Sequence, residues 1–282
     1  MSSIDARRRE FRRLHESGCF VIPNPWDRGS AVILERLGFA ALASSSAGFA
    51  FSRGLTDSAL ALDRAAVLDH LRDLVAATTV PLNADYQAGY GDDPRAVAES
   101  VRLCVETGVA GLSIEDATGD AAAPLFPIDV AVARLRAARE AIDASPGSGR
   151  DVVLTARAEC HLVGHPDPLP ESIERLKAYA AAGADVLFAP GLRDRDSMRA
   201  VIEAVAPKPV NVLVGASLGL RVSDVAALGA RRISVGSAFA RVAWSAFLES
   251  AKEVLATGDF RSFEGIASTR DMSDWFETRR SR

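Results

Sequence analysis

The feature of this sequence that most constrains its fold is a regular alternation of short apolar segments with longer amphipathic ones. Eight short segments are apolar on both faces and bounded by Gly, Pro or Asp, which is typical of parallel strands covered on both sides. The predicted strands are residues 19–23, 40–44, 80–85, 110–115, 151–157, 185–190, 209–214 and 232–236. Between them lie amphipathic segments such as 93–108 and 169–183, and both end at a glycine, as helices often do.

The number of these units predicts the architecture. Eight β/α units in a chain of 282 residues favour an α/β fold of the (β/α)8 TIM-barrel type, because an open doubly wound sheet usually has fewer strands. The sequence has no low-complexity linker and no step in composition, which predicts one barrel domain over residues 1–282. Residues 237–282 follow the eighth strand and are predicted to form a C-terminal helical extension. Its aromatic residues Trp275 and Phe276 are expected to dock against another surface.

Composition argues against several classes of function. The formal net charge is −4 and the 33 Lys and Arg residues are scattered, so we expect no nucleic-acid partner. The N-terminus lacks the apolar core of a signal peptide, and no apolar run is long enough to span a bilayer. We therefore expect a cytoplasmic protein with no membrane partner. The cysteines at positions 19, 104 and 160 are too few and too far apart to indicate a disulfide framework or a C-x-x-C zinc site.

Polar residues follow most of the predicted strands at the point where each strand ends. In barrels of this kind, the reactive groups lie at the C-terminal ends of the strands and in the loops that follow. A carboxylate at the end of a buried strand is costly unless it is paired or bound to a metal. The polar residues at these positions are Asn24, Asp27, Ser44, Ser45, Ser46, Asp57, Asp85, Gln87, Glu115, Asp116, Arg157, Glu159 and Asn211.

Two of these acids predict a metal site. Asp85 and Glu115 end neighbouring strands, and together with the amide of Gln87 they would offer the oxygen ligands that Mg²⁺ prefers. There are too few ligands for a closed Ca²⁺ site, and no His or Cys is placed for zinc. The alternative is structural, with Glu115 or Asp116 capping the next helix and Asp85 starting a turn. The presence of both acids favours the metal site.

The end of the fifth strand carries a cation. Arg157 can form an ion pair with Glu159 or Glu115, or it can hold a substrate carboxylate in a bidentate contact, and the spacing leaves both roles open. His161 and His165 follow in the same loop. We interpret them as solvated loop residues, with proton transfer as the alternative.

The three serines after the second strand, Ser44, Ser45 and Ser46, precede a predicted helix. Their hydroxyl groups and backbone N–H groups are suited to binding an anion at the start of that helix. Small residues at a strand exit are also common for packing, so the serines alone do not decide between these roles.

With these residues in place, the chain resembles the isocitrate lyase/phosphoenolpyruvate mutase superfamily over nearly its whole length. The resemblance lies in segments 24–57, 83–94, 108–120, 154–159 and 232–241, which include the patterns D-x-x-x-G-Y-G and G-x-x-I-E-D. It implies a (β/α)8 barrel that binds Mg²⁺, with Mn²⁺ as an alternative, and an α-keto acid or enolate on the metal. It also implies a homo-oligomer, a dimer of dimers whose last helices are exchanged between neighbouring subunits.

The resemblance assigns roles residue by residue. It makes Asp85 and Gln87 metal ligands, with Glu115 as a direct or water-mediated ligand. Arg157, Glu115 and Asp57 are the expected catalytic residues. The residues expected to bind a small carboxylate substrate are Trp26, Ser44, Ser45, Ser46, Arg157 and Asn211.

Two departures from the family pattern limit what the resemblance implies. Gln87 stands where the family has a second acid, so the site carries one negative charge less. The lid segment, residues 116–127, lacks the K-K/R-C-G-H motif of the isocitrate and methylisocitrate lyases and the lid asparagine of the mutases. Neither activity is therefore expected to be inherited unchanged.

The shared chemistry of such sites is stabilisation of an enolate. The sequence predicts a Mg²⁺-dependent lyase or decarboxylase for a small 2-oxo or 2-hydroxy dicarboxylic acid. One alternative is cleavage or rearrangement of a C–P bond in a phosphonate such as phosphonopyruvate. The other is a non-catalytic protein that binds α-keto acids, for which Gln87 and the lid are the main arguments.

Overall fold

The structure is a computed structural model that describes residues 3–58 and 61–277. Its strands form one sheet of parallel neighbours in the order β1-β8-β7-β6-β5-β4-β3-β2. The two end strands are joined by a hydrogen bond from the Ala43 N–H to the Pro23 carbonyl, so the sheet forms a nearly closed barrel. The strands are β1 (Phe20–Ile22), β2 (Leu42–Ala43), β3 (Leu82–Asp85), β4 (Gly111–Glu115), β5 (Val153–Arg157), β6 (Val186–Phe188), β7 (Val210–Leu213) and β8 (Arg232–Ser234).

Helices surround the barrel and extend beyond it. They are α1 (Ile4–Leu14), α2 (Arg28–Arg36), α3 (Ser46–Ser52), α4 (Arg64–Ala77), α5 (Pro94–Glu106), α6 (Ile128–Asp143), α7 (Pro168–Ala181), α8 (Arg195–Val205), α9 (Val222–Ala227), α10 (Ala238–Thr257) and α11 (Thr269–Glu277). Short 3₁₀ helices cover Gly147–Asp151 and Arg261–Phe263. The predicted helical segments 93–108 and 169–183 correspond to α5 and α7.

The predicted (β/α)8 barrel is confirmed, and each of the eight predicted strands contains one observed strand. The predicted segments extend one or two residues beyond the observed strands, because apolar residues that enter or leave a strand also lie in the core. Along β5, Leu154 and Ala156 pack outward in the main core between sheet and helices. Val153 faces inward and packs with Phe11 in a second, smaller core inside the barrel.

Helix α1, which the strand pattern did not predict, lies across the N-terminal end of the barrel. Its Phe11 is fully buried, and an added Cβ on Gly111 would lie 2.5 Å from the Phe11 ring. The Arg8 guanidinium donates hydrogen bonds to the carbonyls of Val105 and Val109. Five of the eleven residues are arginines, and they conceal the apolar contact of this helix in the sequence, because the Arg8 side chain is itself buried.

The predicted C-terminal extension is helical, and residues 278–282 of it lie outside the described residues. Helix α10 buries Ala240 but leaves an apolar face exposed, formed by Phe239, Val242, Trp244, Phe247, Leu248 and Leu255. Helix α11 packs on α2 of the same chain, where the Arg36 guanidinium lies over the Trp275 ring and Phe276 approaches Gly29. No helix of the described residues combines the length and the apolar character required to cross a membrane.

Candidate active site

A cavity of about 200 Å³ opens at the C-terminal end of the barrel. Its upper part is polar and lies among the ends of β2, β3 and β5, and its floor is formed by side chains from the strands below. The lining residues are Ile22, Asn24, Ala43, Ser44, Ser45, Ser46, Ala47, Asp57, Asn83, Asp85, Ser113, Arg157, Leu162, Phe188, Asn211, Leu213, Arg232, Ser234, Gly236 and Ser237. The cavity therefore brings together most of the polar residues predicted from the strand ends.

The serines after β2 hold Asp85. Both the N–H and the hydroxyl group of Ser46 donate to the same carboxylate oxygen of Asp85, at 2.8 and 2.9 Å. The Asp85 N–H donates to the Ser44 hydroxyl oxygen at 2.8 Å. Ser45 caps α3, because its hydroxyl oxygen accepts from the Gly48 N–H. In this structure, the carboxylate bound by Ser46 is thus that of the protein itself.

Arg157 joins three carboxylates at the mouth of the cavity. Its Nη1 lies 3.2 Å from a Glu115 oxygen and 3.5 Å from an Asp85 oxygen, and its Nε donates to Glu159. The guanidinium also lies over the Phe188 ring at 5.3 Å. Of the two roles that the sequence left open, the ion pair is present in the structure. When all four groups are ionised, three negative charges and one positive charge leave −2 at this point.

Three acids at the mouth, Glu115, Glu159 and Asp57, have pKa values above the ordinary range, and burial is the largest cause in each. Burial raises the pKa of Glu115, and the positive charge of Arg157 opposes this effect only in part. Burial also raises the pKa of Asp57, the neighbouring Asp85 charge adds to the rise, and Arg157 opposes it. Asp57 lies at the rim of the cavity with its side chain open to solvent on one side. All three shifts have the same main origin, which is the burial of the carboxylate, because burial disfavours its charged form.

Asp116 has a structural role that differs from the helix cap considered above. One of its carboxylate oxygens accepts from the Glu159 N–H at 2.8 Å, and the other accepts from the Tyr179 hydroxyl at 2.5 Å and from Arg175 at 3.1 Å. The residue at the N-cap of α6 is Pro127. Asp116 therefore fixes the start of the lid segment and the loop after β5, and neither Asp116 nor Glu115 caps α6.

The lid segment is anchored at both ends. Ala117 and Leu125 form an antiparallel bridge, and the tip of the segment between them is exposed. At its far end, the Phe126 ring lies 4.4 Å beneath the guanidinium of Arg134, which also donates to the carbonyls of Ala88 and Gly91 in the loop after β3. Arg134 therefore connects the lid segment to the loop that follows Asp85.

Several residues singled out from the sequence do not line the cavity, namely Trp26, Asp27, Gln87, Glu115, Asp116, Glu159, His161 and His165. Gln87 is buried with a positive φ of 43°, and its carbonyl accepts from the Glu115 N–H. Trp26 lies beside α3, where an added Cβ on Gly48 would be 3.0 Å from the Trp26 Cβ. The loop histidines His161 and His165 also lie outside the residues that line the cavity.

Asn211 does line the cavity, but deep in the barrel. Its amide donates to the Ser234 hydroxyl at 2.9 Å and its carbonyl oxygen accepts from Arg232 at 2.9 Å. Arg232 was not selected from the sequence, nor was Asn83, whose Oδ1 is buried without a hydrogen-bond partner. A charged residue at the start of the apolar segment 232–236 was the available signal for Arg232.

The oxygen atoms at the mouth suit a Mg²⁺ ion that is held jointly by protein and ligand. Within residues 3–58 and 61–277, no three His, Cys, Asp or Glu side chains are grouped so as to hold a metal by themselves. Asp57 and Asp85 line the cavity, and Glu115 lies behind them on Arg157. Mg²⁺ commonly binds proteins through one or two carboxylates and fills its remaining positions with water or substrate oxygens. The donor set fits this mode of binding.

Comparisons with known proteins show the family to which the chain is related. The sequence model of the family described as phosphoenolpyruvate phosphomutase matches residues 11–255. The 2-methylisocitrate lyase of Escherichia coli K12 is 32% identical over 180 residues, which are 62% of this chain and 58% of that protein. The oxaloacetate decarboxylase of Paraburkholderia xenovorans is 30% identical over 240 residues, covering 82% of this chain and 75% of that protein.

Solved structures are similar along nearly the whole chain. A Burkholderia cenocepacia J2315 protein described as a candidate lyase/mutase is 47% identical, with a TM-score of 0.91 over 97% of this chain and 96% of that one. An oxaloacetate acetylhydrolase in complex with its product oxalate is 28% identical, with a TM-score of 0.84 over 98% and 95% of the two chains. The chain therefore belongs to the phosphoenolpyruvate phosphomutase family, within the isocitrate lyase/phosphoenolpyruvate mutase superfamily of lyases and mutases.

Proposed function

We propose that this protein is a Mg²⁺-dependent lyase or decarboxylase that acts on a small 2-oxo or 2-hydroxy dicarboxylic acid through an enolate. The observation that carries the proposal is the position of Asp85 and Glu115, which both lie within 3.5 Å of one Arg157 nitrogen at the mouth of the cavity. Mg²⁺ bound there would supply a positive charge next to the oxygen on which negative charge develops. The cavity volume of about 200 Å³ suits a small acid.

The residues at the mouth would make different contacts with such a ligand. Asp85, Asp57 and Glu115 provide the negative charge that attracts a divalent cation, and Arg157 provides N–H donors beside it. Rotation of the Asp85 carboxylate toward the ligand would release both donors of Ser46 for a ligand carboxylate. Trp26 and Gln87 would then act from outside the cavity, by positioning α3 and Glu115.

The lid segment favours decarboxylation over cleavage of a 2-hydroxy acid. Residues 116–127 contain no Cys, Lys or His that could protonate an enolate product. Loss of CO₂ leaves an enolate that water can protonate, so this reaction does not require a donor in the lid. An oxaloacetate decarboxylase is also among the relatives described above.

The test is a panel of 2-oxo and 2-hydroxy acids, with oxaloacetate included, assayed with and without MgCl₂. We expect turnover of at least one acid to depend on the metal and to be lost in Asp85→Ala. The exposed acid Asp129 provides the matched control, and Asp129→Ala should retain the wild-type rate. No metal-dependent turnover of any acid would contradict the proposal. Phosphate release from phosphonopyruvate would favour C–P chemistry, and tight binding without turnover would favour an α-keto-acid-binding protein.

We also propose that a second copy of this chain covers α10 and that the protein forms a homo-oligomer, a dimer of dimers. The support is the length of the exposed apolar face, in which Val242, Phe247 and Leu255 are each at least 60% exposed. Light scattering after gel filtration should give a multimer for the wild type and a smaller species for Phe247→Asp. A monomeric wild type at micromolar concentration would contradict this assembly.

A further inference from the structure

The floor of the cavity contains a buried arginine that the mechanism above does not use. Arg232 begins β8, points into the barrel and is 3% exposed, and it lines the cavity. Its guanidinium donates to the Asn211 carbonyl oxygen at 2.9 Å, to the Thr155 hydroxyl oxygen at 3.1 Å and to His15 Nε2 at 3.4 Å. These acceptors come from β7, β5 and α1, so the guanidinium is held from several sides.

All three acceptors of Arg232 are neutral. His15 is neutral because burial, together with the charge of Arg232, lowers its pKa to about 3, and its Nδ1 is hydrogen-bonded to the Phe11 carbonyl. Within the described part of the chain, no carboxylate oxygen lies within 4.0 Å of an Arg232 nitrogen. Burial lowers the pKa of Arg232 to about 9, so the group is still a cation at neutral pH.

The two arginines of the cavity therefore differ in charge balance. Arg157 at the mouth is surrounded by three carboxylates, whereas Arg232 at the floor has none. A buried cation without a counter-ion is unfavourable, and it becomes favourable when an anion enters beside it. The cavity is thus negative at its mouth and positive at its floor.

Arg232 also has donors left for a ligand. A guanidinium carries five N–H groups, and the three hydrogen bonds described here leave two of them without a protein acceptor. Thr155, which accepts from Arg232, lies two residues before Arg157 on β5. The floor at Thr155 and the mouth at Arg157 are therefore separated by about 7 Å along the strand. A chain of about four carbon atoms can span that distance between a head group at the mouth and a tail at the floor.

We propose that Arg232 is the specificity-determining residue of the cavity and binds the second anionic group of a dicarboxylic acid whose 2-oxo or 2-hydroxy acid head lies at the acidic mouth. This inference rests on the proposed function and adds the orientation of the ligand. Arg232 would make the site bind dicarboxylic acids more tightly than monocarboxylic acids of the same length, because an uncharged tail leaves the buried cation without a partner.

The experiment compares malate with 2-hydroxybutyrate, which share a 2-hydroxy acid head and differ at carbon 4 by a carboxylate in place of a methyl group. Binding is measured by calorimetry in MgCl₂ for the wild type, Arg232→Met and Arg8→Met, with oxalate as a ligand that has no tail. Arg8 is the matched control because it is also buried and donates to neutral acceptors, but it does not line the cavity. NMR spectra of the ligands after each titration show whether they are intact.

We expect the wild type to bind malate at least about tenfold more tightly than 2-hydroxybutyrate. Arg232→Met should lose about tenfold to hundredfold in malate affinity with little change for 2-hydroxybutyrate and oxalate, and Arg8→Met should keep the preference. If Arg232→Met does not fold, Arg232→Lys, which keeps the charge but not the planar fork, should weaken malate selectively.

Three results would overturn the inference. They are equal binding of the two acids by the wild type, an unchanged preference in the Arg232 variants, and an equal loss of preference in Arg8→Met. If oxalate binds with MgCl₂ while no preference is seen, the inference fails and the proposed function stands. If no acid binds in a metal-dependent way, oxalate included, both fail.

Discussion

Replacing Arg157 by Gln tests whether this one cation stabilises the ionised forms of the three acids at the mouth. At 3.2 and 3.5 Å, the attraction of the guanidinium to Glu115 and to Asp85 is about 5 kcal/mol each for an effective dielectric constant of about 20. The cost of removing these charges from water offsets much of that attraction. Breaking a buried pair from one side typically costs about 3–5 kcal/mol, and we expect Arg157→Gln to lower the free energy of unfolding by this amount at pH 8.

The loss should depend on pH in a defined direction. Without Arg157, the pKa values of Glu115 and Glu159 in the folded state, which burial already raises, should rise further above their values of about 4 in the unfolded chain. The folded variant can then avoid unpaired charges by binding protons, and it loses this protection as the pH rises through the raised pKa values. The destabilisation should therefore be smaller at pH 5 than at pH 8.

The assay is urea denaturation followed by circular dichroism at pH 5, 6.5 and 8. Arg102 is a suitable control because it also contacts two carboxylates, Glu99 and Glu106, but on the surface, where such pairs are screened. Arg102→Gln should change stability much less and with little dependence on pH. MgCl₂ should restore part of the stability of Arg157→Gln at pH 8. A loss below about 1 kcal/mol, or an equal loss at pH 5 and pH 8, would refute the reasoning.

Three further substitutions test parts of the structure outside the mouth. His15 is buried and its pKa is lowered to about 3, so its contribution to stability is complete above pH 6.5 and is lost as the pH falls. His15→Gln should therefore make the free energy of unfolding depend less steeply on pH in acid, by up to about 1.4 kcal/mol per pH unit. Tyr179→Phe removes the donor to Asp116 and should cost about 1.5–3 kcal/mol in thermal or urea denaturation. Gly91→Ala would place a Cβ 2.4 Å from the Val97 backbone nitrogen and should cost about 1–3 kcal/mol in the same assay. Wild-type stability in Tyr179→Phe or Gly91→Ala, or an unchanged slope in His15→Gln, would contradict the corresponding contact.

The barrel could be predicted from the sequence because its strands are short, apolar and regularly spaced. The positions of Asp85, Glu115 and Arg157 followed from the same pattern, since parallel strands place their C-terminal ends together. Family membership was also evident from the residues around these strand ends and is confirmed by the comparisons.

The contacts within the site were less predictable. That Ser46 donates twice to Asp85, or that Arg157 meets three acids, depends on side-chain directions and on distances of a few tenths of an ångström. The role of Arg232 was also not predicted, because a strand segment does not reveal whether a charged side chain turns into the barrel. The buried contacts of helix α1 were not predicted, because its arginines read as surface residues although Arg8 is buried against backbone carbonyls.

The double anchoring of residues 116–127 has a consequence for how this site can diversify. One end is fixed by Asp116 on Arg175 and Tyr179, and the other by Phe126 under Arg134, so the exposed turn between them carries little of the fold. Residues in that turn can be exchanged, or the turn lengthened, while the carboxylates at the strand ends keep their positions. A new reactive side chain can thus be introduced above an unchanged barrel, and one scaffold can serve several reactions.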